Sequence, residues 1–162
     1  MLALQRRHFI QATGGSLALL ACGLSFAHDS QLGDLTLDHP YATPSAPGTL
    51  QGFAFLRQLR NSGPQADRLV GGHTPVASAV LIQQREGQAW RTVEALPIAA
   101  RSEMPLRHDG PWRLKLQGLK APLQVGDRFP LTLRFERSGA IEVRVWVQQP
   151  RAQPASRMEH PR

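Results

Sequence analysis

Residues 130–147 read Pro-Leu-Thr-Leu-Arg-Phe-Glu-Arg-Ser-Gly-Ala-Ile-Glu-Val-Arg-Val-Trp-Val, PLTLRFERSGAIEVRVWV. Leu131, Leu133 and Phe135 alternate with Thr132 and Arg134. After Ser138-Gly139 the alternation resumes, with Ile141, Val143, Val145 and Val147 set against Glu142, Arg144 and Trp146. Successive side chains of a strand point to opposite faces, so this pattern predicts two strands with one buried face each, joined by a turn at Ser138-Gly139.

Working outward, short segments of the same kind recur through the chain. They are Leu35–Leu37, Gln51–Leu59 with Phe53 and Phe55 on one face, Arg68–Val70, Val80–Ile82, Trp90–Leu96 and Trp112–Leu119. Turn residues separate them: Asn61-Ser62-Gly63-Pro64, Arg85-Glu86-Gly87, His108-Asp109-Gly110-Pro111 and Val125-Gly126-Asp127. No stretch after residue 28 holds a helical period over three turns, and no repeat is present. Seven or eight short strands at this spacing predict an all-β fold, a β-sandwich. In HDGPWRLKLQGLK (108–120), Leu114 and Leu116 alternate with Arg113 and Lys115, so two cations project together from one strand face just after a Gly-Pro turn.

The first 27 residues read as an export signal. Arg6-Arg7 precede Phe9 and Ile10, as in a twin-arginine signal. Ser16–Leu24 is a short apolar run, and Ser25-Phe26-Ala27 ends as a signal peptidase site does. The predicted organisation is a signal peptide at 1–27, a β-sandwich domain at 28–149 and a disordered Pro- and Arg-rich tail at 150–162. Location is then periplasmic or secreted. Leu19-Leu20-Ala21-Cys22 resembles a lipobox, and lipidation at Cys22 is the alternative, with a membrane anchor. Cleavage after Ala27 removes the single cysteine, and with it any disulfide or thiolate chemistry.

The net charge of +7 comes from arginines scattered along the chain. No dense basic run with interleaved aromatics marks a nucleic-acid surface. Gly-x-Ser-x-Gly, a Gly-rich phosphate loop, His-Glu-x-x-His and a cysteine cluster are all missing from the sequence, and no carboxylate pair stands out. The chain reads as a non-enzyme.

Three segments carry a family resemblance: GDLTLDHPYA (33–42), ADRLVGGHTPVASAVLI (66–82) and LQGLKAPLQVGDRFPLTLRFERSGAIEVRVWV (116–147). Together they resemble the PCuAC family of periplasmic copper chaperones over roughly 33–147. The resemblance implies a cupredoxin-like β-sandwich, copper as cofactor, and copper delivery to a cuproprotein such as cytochrome oxidase. It also implies a Cu(I) site of two His and two Met in the order H…M…H-x-M. Those positions fall on Gln83, Trp90, Arg113 and Lys115 in this chain, so all four implied ligands are replaced. Gly118-Leu119-Lys120 pins the register at Arg113 and Lys115, whereas the register at Trp90 varies with the turn before it.

Cu(I) takes soft thioether or imidazole donors, and neither an ammonium nor a guanidinium has a lone pair to give. Two expectations follow. Copper is handled by other residues: His28 at the new N-terminus, Met104 and His108 before the strand, or Met158 and His160 in the tail. Alternatively, the face is a non-metal binding module, with Arg113, Lys115, Trp90 and Gln83 holding an anionic ligand or an acidic partner. A third, plainer reading pairs Arg113 and Lys115 with Glu86, Glu94 or Glu103 at the surface.

Overall fold

The computed structural model describes residues 29–150, and every regular element among them is a strand. The stretch read as an export signal, with Cys22, and also His28, Met158 and His160, lie outside the described residues. In chain order the strands are β1 (Asp29–Leu32), β2 (Leu35–Ala42), β3 (Gln51–Asn61), β4 (Asp67–His73), β5 (Ala77–Glu86) and β6 (Ala89–Val93). They continue with β7 (Leu96–Ile98), β8 (Ser102–Leu106), β9 (Trp112–Leu119), β10 (Arg128–Phe135) and β11 (Gly139–Val147).

The opening stretch folds as its alternation predicts. β10 and β11 form an antiparallel hairpin with Leu131 opposite Val143 and Phe129 opposite Val145. Leu131, Leu133, Phe135, Val143, Val145 and Val147 are buried, while Arg134, Glu142 and Arg144 are exposed. Gly139 supplies a backbone with φ +94° where the chain reverses. Asp67 at the start of β4 ties this turn down. Its carboxylate accepts hydrogen bonds from the backbone N–H of Arg137 and Ser138 and from the Ser138 hydroxyl.

The expected sandwich is observed, with its two sheets joined at both sides. One sheet runs β6-β5-β9-β3-β2, extended by β8 beside β3 and β1 beside β2. The other runs β11-β10-β4-β7. They meet through one register pair, Gly72 opposite Val80, and through a short parallel contact of Trp146 with Tyr41 and Val147 with Ala42. Between the sheets lies a leucine- and valine-rich core that includes Leu37, Leu59, Leu114, Leu116 and Leu133.

Two departures from the sequence reading matter for the site. The segment Trp90–Leu96 is not one strand. It splits into β6, which pairs with β5, and β7, which pairs with β4 in the other sheet. Further, Phe53 and Phe55 do share a face, but it is the face away from the core, because Gly52, Ala54 and Leu56 are the inward residues there. Leu59 points inward despite having the parity of Phe55. β2 switches parity too, from Leu35 and Leu37 inward to Ala42 inward, and at the switch His39 adopts φ +46°. Such a backbone is costly for a non-glycine residue preceding a proline. The switch turns Tyr41 and Phe55 out of the main core and stacks them on each other, with ring centroids 5.3 Å apart.

Candidate functional site

The outer face of β6-β5-β9-β3 gathers the residues singled out from the sequence. Gln83 on β5 stands opposite both Thr92 on β6 and Arg113 on β9, so all three share one face. Trp90 stands opposite Arg85, one pleat along. Lys115 stands opposite Leu81 on one side and Phe53 on the other. Gln83, Trp90, Arg113 and Lys115 are therefore assembled on one surface, as register and alternation required.

Arg113 is the centre of this surface. Its guanidinium lies 4.0 Å from the Trp90 ring centroid and 4.0 Å from that of Phe53. Its Nε donates to Gln83 Oε1 at 2.8 Å, and Gln83 Nε2 lies 3.3 Å from Thr92 Oγ1. Gln83 is only 6% exposed although it points away from the core, because it sits beneath these groups. Burial, then the nearby Arg85 charge, lowers the pKa of Arg113; a guanidinium so placed stays charged. The Arg85 guanidinium stacks on Trp90 at 5.1 Å.

The expectation that glutamates neutralise these cations is not met. Glu86 pairs with Arg91, and Glu103 pairs with Arg60 and accepts a hydrogen bond from Gln58. Glu94 acts electrostatically on Arg68. Among the described residues, Arg85, Arg113 and Lys115 make no ion pair. Phe53, Thr92 and Arg85 complete the surface and were not picked out from the sequence. Phe53 resembled a core residue because alternation does not say which face is inside.

The other metal candidates within the described residues are not brought together. Met104 on β8 lies opposite Leu59 and packs on the hydrophobic core. His108, beyond the end of β8, packs edge-on against Phe55 and holds Tyr41. The His108 backbone N–H donates to the Tyr41 hydroxyl oxygen at 3.1 Å, and the same hydroxyl is hydrogen-bonded to His108 Nδ1, also at 3.1 Å. Among the described residues no group of three or more His, Cys, Asp or Glu gathers where a metal ion could be held.

Comparison with known proteins places this geometry. The LpqE-like lipoprotein family model matches residues 35–147. No curated protein matches the chain. Among solved structures, the copper-bound PCuAC domain from PmoF2 has a TM-score of 0.67 at 20% identity, covering 76% of this chain and 99% of that one. The apo PCuAC domain from PmoF1 gives 0.66 at 21% identity, covering 76% and 100%. The Cu(I) form of DR1885 from Deinococcus radiodurans gives 0.56 at 28% identity, covering 70% and 78%. The expected PCuAC-like, cupredoxin-like sandwich is thus the fold of this chain.

Proposed function

This chain belongs to the LpqE-like family, and on that premise we propose that it is an extracytoplasmic binding protein, not an enzyme. In this reading the metal face of the copper-chaperone fold has become a cationic, aromatic docking platform for an acidic partner. One observation carries the reading: the Arg113 guanidinium lies between Trp90 and Phe53, with Nε fixed by buried Gln83, where the family resemblance places a copper ligand. The side chains on this face do not fit copper. An amide, an indole, a guanidinium and an ammonium offer no soft donor, and the fixed cation repels a second one.

What the face does offer is Arg, Trp and Lys on a rigid sheet. Arg and Trp are the residue types that dominate binding energy at protein interfaces. Arg113 keeps its terminal nitrogens for a carboxylate, and Arg85 and Lys115 add charge without ion-pair partners among the described residues. The likeness to a copper-bound PCuAC domain and to Cu(I)-DR1885 favours a second reading, in which copper is still bound and passed to a cuproprotein. That reading needs donors away from this face: His28, Met158 and His160, or His108 through Nε2, since its Nδ1 is engaged by Tyr41.

Two measurements on residues 28–162 separate the readings. Fluorescence anisotropy with a poly-glutamate peptide should show binding that weakens with salt and is lost in Arg113→Ala/Lys115→Ala. Salt-insensitive binding, or binding that survives the double substitution, overturns the platform. Cu(I) titration against a competing chelator should show no tight single-equivalent site. Tight binding that is lost on truncation after Pro150 supports the second reading instead.

A further inference from the structure

The platform ends at an open sheet edge. Among the described residues, β1, β6, β7 and β8 each pair with one neighbour, so each has an outer edge without a partner strand. An open edge presents backbone N–H and C=O groups to any extended chain, and proteins blunt it with prolines and charges. β7 carries Pro97, β8 carries Pro105, and β1 carries an acid, Asp29. β6, Ala-Trp-Arg-Thr-Val, has no proline, and its tryptophan, threonine and valine favour a strand. Its single charge, Arg91, is paired with Glu86.

The direction of the β6 backbone groups follows from the next strand in. The Arg85 backbone N–H donates to the Pro111 carbonyl oxygen at 2.8 Å, so Arg85 turns its main-chain groups towards β9. Gln83, two residues back on β5, turns the same way. Their partners on β6, Trp90 opposite Arg85 and Thr92 opposite Gln83, therefore form the non-hydrogen-bonded pairs of the ladder. Their N–H and C=O groups point away from β5, off the edge of the sheet. The side chains of the same two residues lie on the platform face.

Positive charge reaches this edge as well. Arg113 belongs to β9, two strands in and about 10 Å from β6, yet its guanidinium lies 4.0 Å from the Trp90 ring centroid. The Arg85 guanidinium lies over the same ring at 5.1 Å. Neither arginine makes an ion pair among the described residues.

We propose that the partner of the platform is an extended acidic segment that adds to β6 as a further strand. Its backbone bonds to Trp90 and Thr92, and acidic side chains at alternate positions lean across Trp90 towards Arg85 and Arg113. This inference rests on the reading of the face as a docking platform, and it gives the partner a conformation and an acid-x-acid spacing. A second copy of this chain is a poorer occupant, because β6 paired with β6 would set the Arg85 and Arg113 clusters of the two copies side by side.

The test is fluorescence anisotropy of the purified protein with a labelled (Glu-Thr)4 peptide and two isomers, one N-methylated on its Glu amides and one on its Thr amides. Alternate amides of a strand face the neighbour, so one methylated isomer loses its bonds to β6 and the other keeps them. The expected result is that one isomer binds as the parent does and the other binds about tenfold more weakly or worse. Equal binding of the two isomers overturns the proposal. If that binding is still lost in Arg113→Ala/Lys115→Ala, the platform stands and strand addition alone falls. Isomer selectivity that survives the double substitution upholds strand addition and overturns the platform. If the parent peptide does not bind, both fall, and a dimer in sedimentation that Thr92→Pro dissociates then shows a second copy on the edge.

Discussion

Arg113→Ala tests whether the guanidinium is a structural part of its face. The substitution removes two stacking contacts at 4.0 Å. Cation–aromatic contacts at half-exposed positions contribute about 0.5–1 kcal/mol each. It also removes the Nε bond to Gln83, which leaves a carboxamide oxygen unpaired at a residue only 6% exposed; that loss costs about 1–3 kcal/mol. Relief of repulsion from Arg85 returns a small part. The expected loss is about 2–4 kcal/mol, read as a lower urea midpoint at unchanged slope. Arg113→Lys keeps the charge but not the flat stack or the planar donor geometry, and should lose about half as much. In a double-mutant cycle, Arg113→Ala and Trp90→Ala should couple by about 0.5–1 kcal/mol. A loss below about 0.5 kcal/mol for Arg113→Ala, the size of an ordinary surface substitution, would refute the reasoning.

Three further outcomes are expected. Burial raises the pKa of Asp67, but hydrogen bonds from the Ser138 hydroxyl and from the backbone N–H groups of Arg137, Arg68 and Ser138 outweigh it and lower the pKa overall. A depressed carboxyl contributes stability that is complete above its unfolded value near 4 and is lost as pH falls through the folded value. Asp67→Asn should therefore flatten the acid limb of the stability–pH curve below about pH 4, and an unchanged limb would count against it. At Gly72 a Cβ would lie 2.5 Å from the Thr132 carbonyl oxygen, so Gly72→Ala should push β4 off β10 and cost about 1–3 kcal/mol by thermal melting. Finally, Gln83→His/Trp90→Met/Arg113→His/Lys115→Met places soft donors on one face; the variant should bind one Cu(I) by competition titration. Failure to bind would show that these four positions do not converge on one point.

Much of this architecture is legible in the chain because strands with one buried face advertise it. The 130–147 hairpin shows alternating residues whose inward set is apolar throughout, and the structure buries that set, Ile141 only partly. That Arg113 and Lys115 share a face is legible for the same reason, whereas Gln83 joins them through the β5–β9 register, which alternation does not give and only the family resemblance implied. Legibility fails where alternation is interrupted. His39 and the irregularity between Leu56 and Leu59 each reverse which parity faces the core, and no residue type at those positions signals it. Phe53, Phe55 and Tyr41 thus look like core in the sequence and furnish the outer face in the fold. β8 was missed because Ser-Glu-Met-Pro-Leu, a short edge strand with a proline, has neither the length nor the apolar pattern of the others.

The same reversals shape the outer face. A regular β2 and β3 would send Tyr41 and Phe55 inward beside Leu37 and Leu59, and the outer surface there would carry Pro40, Ala42, Ala54 and Leu56 instead. Turned outward, the two rings form a floor on which His108 packs edge-on at 6.3 Å from each. Phe53 extends that floor to Arg113. A ring system of this kind holds its shape without a bound ion, because the contacts are dispersion and quadrupole interactions between groups fixed by the sheet. Within such a face a guanidinium does what a metal ion does elsewhere: it is a cation that links β9 to β5 through Gln83, to β6 through Trp90 and to β3 through Phe53. The difference is that this cation is covalently part of the chain, so the face is assembled on folding and needs no loading step.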